Sequence, residues 1–214
     1  MHAVIHCNPG IEWQRRYAKA LKQGLENELI PAKITAQRDE LAHLRIILGP
    51  HWGIKDGLII DRAFWGDPNA VSIHWLIRGC KVFDWTPREG RYYPDVKPYK
   101  TGKKGVVLCD YGKRFAVPGC DIRFHPSEKP NQPPLAKALE KYAVAYGGHS
   151  TALVDAAING LTVYSLLDGG PVGPISGKTK PDREPWLQAL SWHNWTFEEI
   201  EKGVLWNHFI KSKP

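Results

Sequence analysis

The segment 142–167, YAVAYGGHSTALVDAAINGLTVYSLL, contains the residue types that bind phosphate. An apolar run ends at two glycines, which let a backbone approach a ligand closely. The polar residues that follow stand at a predicted helix start, where hydroxyls and unpaired backbone N–H groups can donate to anionic oxygens. We therefore predict that this turn holds an anionic, nucleotide-type ligand. Its residues are Gly147, Gly148, His149, Ser150 and Thr151.

The helix after this turn carries a carboxylate at Asp155, on the same face as Thr151. A carboxylate in that place can accept hydrogen bonds from ribose hydroxyls, so Asp155 is a candidate nucleotide contact. A purely structural interpretation stays open for both ends of this segment. In that interpretation Ser150 caps the helix and Asp155 is a solvated surface charge.

A second polar residue is predicted at a strand end, in the segment 121–126 (DIRFHP). The strand brings His125 to the carboxyl edge of its sheet, and Pro126 then turns the chain outward. An imidazole fixed there can donate to a phosphate oxygen and stabilise a departing nucleotide. A lone histidine at a strand end is often structural. The presence of the phosphate-binding turn in the same part of the chain favours a catalytic role for His125.

A third candidate lies in the segment 58–67, LIIDRAFWGD, where Asp61 ends an apolar strand. Such a carboxylate can act as general base toward a hydroxyl, provided that burial raises its pKa toward working pH. Asp67 is a competing carboxylate, and a plain turn role for Asp61 stays open. Arg62 and His74 are candidates for binding substrate.

The elements that must position these residues alternate between strands and helices. A strand is predicted at 3–7, a turn at 8–10 and a helix at 11–29. Further strands are predicted at 32–35, 44–48, 58–61 and 71–75. A second series has strands at 105–109, 122–124 and 143–146 and a helix at 134–141. This alternation predicts an α/β fold with mostly parallel sheets and ligands at the carboxyl ends of the strands.

The polar, Pro/Gly-rich stretch 84–104 marks a boundary between two parts of the chain. We predict an N-terminal α/β acceptor domain over 1–95 and a nucleotide-binding domain over 104–180. Helices over 181–214 are predicted to brace the two. Within them, Thr196 followed by Glu199 forms a capping box that opens a helix.

The paired motifs resemble those of a known enzyme family. His125-Pro126 followed by Ser150-Thr151 is similar to the HP and S/T motifs of GT-B-type glycosyltransferases, notably bacterial sialyl-, polysialyl- and Kdo-transferases of capsule synthesis. The segment 58–67 resembles the acidic segment of those enzymes. The resemblance implies a compact pair of small Rossmann-like lobes, with Asp61 as general base. It also implies that His125, Ser150 and Thr151 hold the phosphate of a nucleotide-sugar.

The C-terminal run 182–209 is similar to the tails of short phage-encoded proteins described as glycosyltransferase-like. This resemblance implies a phage source and the cytoplasm of a host cell. The acceptor is then a glycan or a hydroxylated base in phage DNA, which must be flipped out of the duplex to be reached.

Composition restricts the remaining possibilities. The formal charge of +7 favours an anionic substrate or polyanionic partner, such as DNA. No zinc-site or DxD-type spacing is present, so we expect metal-independent chemistry with no cofactor beyond the nucleotide-sugar substrate. The four cysteines lack CxxC spacing and mostly lie within apolar runs, so we predict that they are packing residues in a reducing, cytoplasmic setting. No apolar run is long enough to predict a membrane span.

Two other functional classes stay open. One is a noncatalytic protein that binds a nucleotide or nucleic acid through the same turn. The other is a different enzyme on the same scaffold, such as a nucleotide-sugar epimerase or a hydrolase. The nine tryptophans fit either class, because such rings line sugar and base sites as well as protein cores.

Overall fold

A computed structural model describes residues 1–37, 40, 42–49, 53–67, 69–78 and 80–211. Its strands are β1 (Ala3–His6), β2 (Ala32–Thr35), β3 (Leu44–Leu48), β4 (Gly57–Arg62), β5 (Val71–Ile77), β6 (Cys80–Val82), β7 (Gly105–Leu108), β8 (Asp121–Arg123), β9 (Val144–Gly147), β10 (Thr162–Ser165) and β11 (Asn194–Trp195). Its helices are α1 (Glu12–Asn27), α2 (Leu135–Leu139), α3 (Ala152–Ile158), α4 (Glu184–Ser191), α5 (Phe197–Glu201) and α6 (Val204–Lys211). The predicted α/β class is confirmed.

The chain divides into two compact units. Unit 1 contains Met1–Val82 together with the chain from His193 onward, and unit 2 contains Phe83–Trp192. The helices predicted over 181–214 are therefore distributed between the units, with α4 in unit 2 and both α5 and α6 in unit 1. Within the described residues, no helix is long and apolar enough to cross a membrane.

The sheet of unit 1 is mixed, which corrects the prediction of a mostly parallel sheet here. Strands β4, β3, β1 and β2 lie side by side and parallel, whereas β5 is antiparallel to β4 and pairs antiparallel with both β6 and β11. The cause is the short link 63–70 between β4 and β5. A parallel neighbour requires a crossover of about a dozen residues or more, so this short link allows only an antiparallel return.

The core of unit 1 combines these strands with helices from both ends of the chain. The apolar runs 46–48 of β3 and 58–60 of β4 are buried at every residue, so both faces of the sheet are covered there. Gly24 of α1 packs so closely against the backbone of Ile200 that a side chain at residue 24 would collide with it. Trp195, Trp206 and Phe209 are fully buried. The C-terminal segment is thus part of this core.

The sheet of unit 2 is entirely parallel, in the order β10-β9-β7-β8. Because the chain order is β7, β8, β9, β10, the winding reverses between β7 and β9. The carboxyl ends of all four strands lie at one edge of this sheet. Ligands of open α/β sheets bind outside such an edge, at the point of reversal.

The four cysteines are free thiols. Cys7 and Cys109 are buried, as expected for packing residues, and Cys120 is half-buried. Cys80 is exposed at the start of β6, so the packing role predicted from its sequence context is wrong for that residue.

Candidate functional site

The carboxyl edge of the unit 2 sheet carries a row of polar residues. His125 follows β8, Asp110 follows β7, and the turn 147–151 follows β9. The strand order places β7 between the other two, so His125 and the turn extend from strands about 10 Å apart. The structure therefore brings the HP segment and the turn 147–151 to the same edge.

The turn is tightly packed at its second glycine. A side chain at Gly148 would collide with the Asp110 carboxylate, and its Cβ would lie 2.9 Å from Leu167 Cδ1 and 3.0 Å from Phe115 Cζ. The absence of a side chain at residue 148 therefore allows a close approach, which the sequence predicts for a ligand. The close approach, however, is to the protein's own carboxylate.

Asp110 is the residue that the sequence analysis missed. Its Oδ2 accepts a hydrogen bond from the His149 backbone N–H at 2.9 Å, so this donor is not open to a ligand phosphate. Its Oδ1 is buried and has no hydrogen-bond partner. Asp110 directly follows the apolar run of β7, just as Asp61 ends the apolar run of β4. That shared position, a carboxylate at a strand's carboxyl end, is the signal that could have found it.

The rest of the turn retains donors. The Nε2–H of His149 donates to the Asp168 carbonyl oxygen at 2.6 Å, which fixes the ring. Ser150 Oγ accepts from the Ala152 N–H at 3.2 Å, so this hydroxyl caps the start of α3 while its own proton can still donate. Thr151 occupies the N-cap position, and its side chain makes no capping hydrogen bond. The hydroxyls of Ser150 and Thr151 are thus the turn's available ligand donors.

Asp155 is not a solvated helix charge. It is half-buried, and burial raises the pKa of its carboxyl to about 6. A shift of this size marks a carboxylate that lacks the stabilisation water would provide. A ligand hydroxyl that donates to Asp155 would supply part of that stabilisation.

His125 is fixed in one tautomer by its local turn. Its Nδ1 accepts a hydrogen bond from the Ser127 N–H at 3.3 Å, so the neutral ring carries its proton on Nε2. The ring packs edge-on against Tyr111, with centroids 5.6 Å apart. Nε2–H is the atom with which His125 can donate to an anion.

Unit 1 has a cavity of about 450 Å³ at the carboxyl end of β4. The predicted residues Asp61, Arg62 and Asp67 all line it, which brings three of the sequence candidates together. Trp13 and Tyr17 of α1 form another part of the wall. The remaining lining residues are Ala63, Trp65, Gly66, Ala70 and Val71.

The environment of Asp61 does not meet the condition set for a general base. Its side chain is 46% exposed, and its Oδ2 lies 3.1 Å from Lys81 Nζ. Burial raises the pKa of Asp61, but the Lys81 ammonium and the hydrogen bond from the Arg62 N–H outweigh burial, so the pKa lies below its ordinary value. The expectation of a raised pKa is therefore wrong, and Asp61 is held ionised by its ion pair.

His74 is enclosed within unit 1. It lies in the middle of β5, opposite Ile59 of β4, and is 1% exposed. A side chain enclosed in the core of unit 1 cannot contact a substrate from solvent. This burial does not favour the predicted substrate-binding role of His74.

Two donors in the wall of the unit 1 cavity are unsatisfied. Tyr17 is 5% exposed, and its hydroxyl has no hydrogen-bond partner. Trp65 Nε1 is likewise buried and unpartnered. Burying such groups without partners costs free energy. With aromatic walls and the carboxylates of Asp61 and Asp67, the cavity suits a ligand that has a ring and hydroxyl or amino groups.

Among the residues that the structure describes, no group of three or more His, Cys, Asp and Glu side chains is arranged to hold a metal ion. Comparison with protein-family models, with curated proteins and with solved structures found no match to this chain.

Proposed function

We propose that this protein is a GT-B-like glycosyltransferase with two Rossmann-like units. In this proposal it moves a sugar from a nucleotide-sugar donor to a hydroxyl acceptor without a metal ion. The observation that supports it best is the carboxyl edge of the unit 2 sheet. There Ser150 and Thr151 follow β9, which borders the point where the winding reverses, and His125 follows β8 at the same edge.

Unit 2 is proposed to bind the donor nucleotide. The hydroxyls of Ser150 and Thr151 and the Nε2–H of His125 donate to phosphate oxygens, and Asp155 accepts from a ribose hydroxyl. When the bond between the anomeric carbon and the phosphate oxygen breaks, the electron pair leaves with the nucleotide. Donation from His125 stabilises the charge that develops on that oxygen.

Unit 1 is proposed to bind the acceptor in the cavity beside Asp61. The acceptor oxygen forms a bond to the anomeric carbon, and its proton passes to the Asp61 carboxylate. A carboxylate with a lowered pKa can still take this proton, because a hydroxyl oxygen becomes strongly acidic as it bonds to carbon. The acceptor is a glycan hydroxyl or a hydroxylated base of phage DNA, and the aromatic walls of the cavity suit either ring.

One observation favours a second candidate, a noncatalytic protein that binds a nucleotide or nucleic acid. The Lys81 ammonium weakens Asp61 as a base. This ion pair is compatible with binding and does not assist turnover. This candidate keeps the nucleotide at Ser150 and Thr151 and removes the catalytic roles of Asp61 and His125.

The first experiment measures thermal midpoints with CMP-, UDP-, GDP- and ADP-linked sugars. A ligand that binds only the folded state stabilises it by RT ln(1 + [L]/Kd), about 1.4 kcal/mol at tenfold excess over Kd. Ser150→Ala combined with Thr151→Ala should abolish the shift. If no donor shifts the thermal midpoint of the natural sequence, nucleotide binding at Ser150 and Thr151 is refuted for both candidate functions.

The second experiment separates the candidates by nucleotide release from the donor identified in the first. Asp61→Asn should lower turnover by a factor of a hundred or more while donor binding stays unchanged. Asp67→Asn, in the wall of the same cavity, is the matched control and should retain most of the activity. If Asp61→Asn binds the donor and turns it over as fast as the natural sequence does, Asp61 is not the general base. Binding without any turnover would support the noncatalytic protein.

A further inference from the structure

Unit 2 has two adjoining cavities that are separate from the carboxyl edge of its sheet. The first, of about 540 Å³, lies at the amino edge, beside the loop that precedes β7. The second, of about 470 Å³, lies beside β8 and α2 and shares Lys141 and Tyr142 with the first. We call the two together the basic groove. Its cations are Lys100, Lys103, Lys104, Arg123, Lys129, Lys137 and Lys141.

Carboxylates do not neutralise this groove. Seven cationic side chains line it, against the single carboxylate of Glu140. Asp121 lies next to it, and its Oδ2 is 3.5 Å from Lys104 Nζ and 3.8 Å from Lys141 Nζ. One carboxylate thus serves two ammonium groups, both of which remain more than half exposed. A clear excess of positive charge faces solvent.

Part of the groove is held in place by hydrogen bonds. Lys100 Nζ donates to the carbonyl oxygens of Leu139 at 2.8 Å and Glu140 at 3.2 Å, which ties the loop before β7 to the end of α2. Arg123 donates to the Pro133 carbonyl oxygen at 2.8 Å. These two cations border the exposed lysines, so less side-chain freedom remains to be lost when a partner binds.

The aromatic content of the groove indicates the kind of polyanion. Tyr142 is only 6% exposed, and Tyr99 is covered by the Arg183 guanidinium, 4.0 Å from the ring centroid. Proteins that grip single strands stack bases on exposed rings, and neither tyrosine of this groove presents such a ring. A duplex presents its phosphates outward with its bases already stacked, so it requires only the cations.

We propose that the basic groove binds the phosphate backbone of duplex nucleic acid, independently of base sequence. This goes beyond the proposed transfer reaction, because it assigns a polymer partner to a surface that the nucleotide site does not use. The strands of this sheet are four residues or fewer, so its amino and carboxyl edges lie about 13 Å apart. A mononucleotide and a duplex therefore bind without competing.

The test is fluorescence anisotropy of labelled 20-bp duplexes of DNA and of RNA with the full chain, between 50 and 200 mM salt. Each phosphate contact contributes a slope of about −0.9 in log K against log salt. Replacing three lysines (K103Q/K104Q/K141Q) should make the slope shallower by up to about 2.7 and weaken binding at least tenfold at 50 mM. The matched control R15Q/K19Q/K22Q on α1 removes the same charge from unit 1 and should change the slope by less than 0.5.

A second variant keeps the test decisive if the triple variant unfolds. K129Q/K137Q removes two exposed lysines that form no part of the Asp121 cluster, and it should make the slope shallower by up to about 1.8. The proposal is overturned if groove and control variants weaken binding equally, because net charge would then be the cause. Tighter binding to single strands, to heparin or to phosphatidylserine vesicles than to either duplex would also overturn it. So would displacement of the duplex by CMP, UMP, GMP or AMP.

Discussion

Asp155 provides the sharpest test of the electrostatics in unit 2. Its carboxyl is half-buried on α3, and burial raises its pKa from 3.8 to about 6. Asp155→Asn keeps the shape of the side chain but is neutral at every pH. The substitution therefore removes the ionisation and preserves the packing.

The expected magnitude follows from the pKa difference. Each pKa unit corresponds to about 1.4 kcal/mol, so a difference of about two units corresponds to about 3 kcal/mol. Because the folded protein holds this proton more tightly than the unfolded chain, the contribution of Asp155 to stability falls as pH rises from about 4 to about 6. Above that pH the loss is complete. At pH 7.5 the Asn variant should be more stable by up to about 3 kcal/mol.

The assay is urea unfolding followed by circular dichroism at pH 4.5 and pH 7.5. The free energy of unfolding of Asp155→Asn, relative to the natural sequence, should rise by at least about 1 kcal/mol between the two pH values. Asp168→Asn, at an exposed position in the same unit, is the control and should show no such rise. A variant that is less stable at pH 7.5, or a difference equal at both pH values, would refute the argument that burial disfavours the ionised carboxylate.

Three further predictions follow from the contacts described above. Tyr17→Phe removes a buried hydroxyl without a partner, so the free energy of unfolding in urea should stay equal or rise by up to about 1 kcal/mol. A lower free energy of unfolding would show that the hydroxyl has a partner. Gly148→Ala places a methyl group against Asp110 and should lower the free energy of unfolding by about 1–3 kcal/mol, measured in the same way. Lys81→Met should raise the pKa of Asp61, measured by a ¹³C NMR titration of its carboxyl, and an unchanged titration would contradict the ion pair. The variant should also lose the stabilisation of the folded protein by ionised Asp61, which in the natural sequence disappears as pH falls through the lowered folded pKa.

Sequence patterns predict those elements of this fold that depend on residues close together along the chain. Strands β2 and β3 match the predicted 32–35 and 44–48, because short apolar runs between turn residues have few alternatives. The capping box at Thr196 is confirmed, since both of its hydrogen bonds join residues three apart. The arrival of His125 and the turn at one edge also follows from the parallel pairing of their strands.

Features that depend on distant pairing could not be predicted in this way. His74 stands in a strand that is buried along nearly its whole length, so no alternation distinguishes a core histidine from a site histidine. The ion pair of Asp61 joins residues twenty apart in sequence through the antiparallel association of β5 with β4 and β6. Asp110 lacks a motif and gains its importance only from the hydrogen bond to the His149 N–H.

The discontinuity of unit 1 has a consequence for biosynthesis. Ribosomes add roughly 5–20 residues per second, so unit 2 emerges and can fold while unit 1 still lacks β11, α5 and α6. During that interval of several seconds, the strand and helix surfaces that Trp195, Trp206 and Phe209 later cover are exposed to solvent. The nascent chain is then most vulnerable to aggregation, and the synthesis of β11, α5 and α6 ends this exposure.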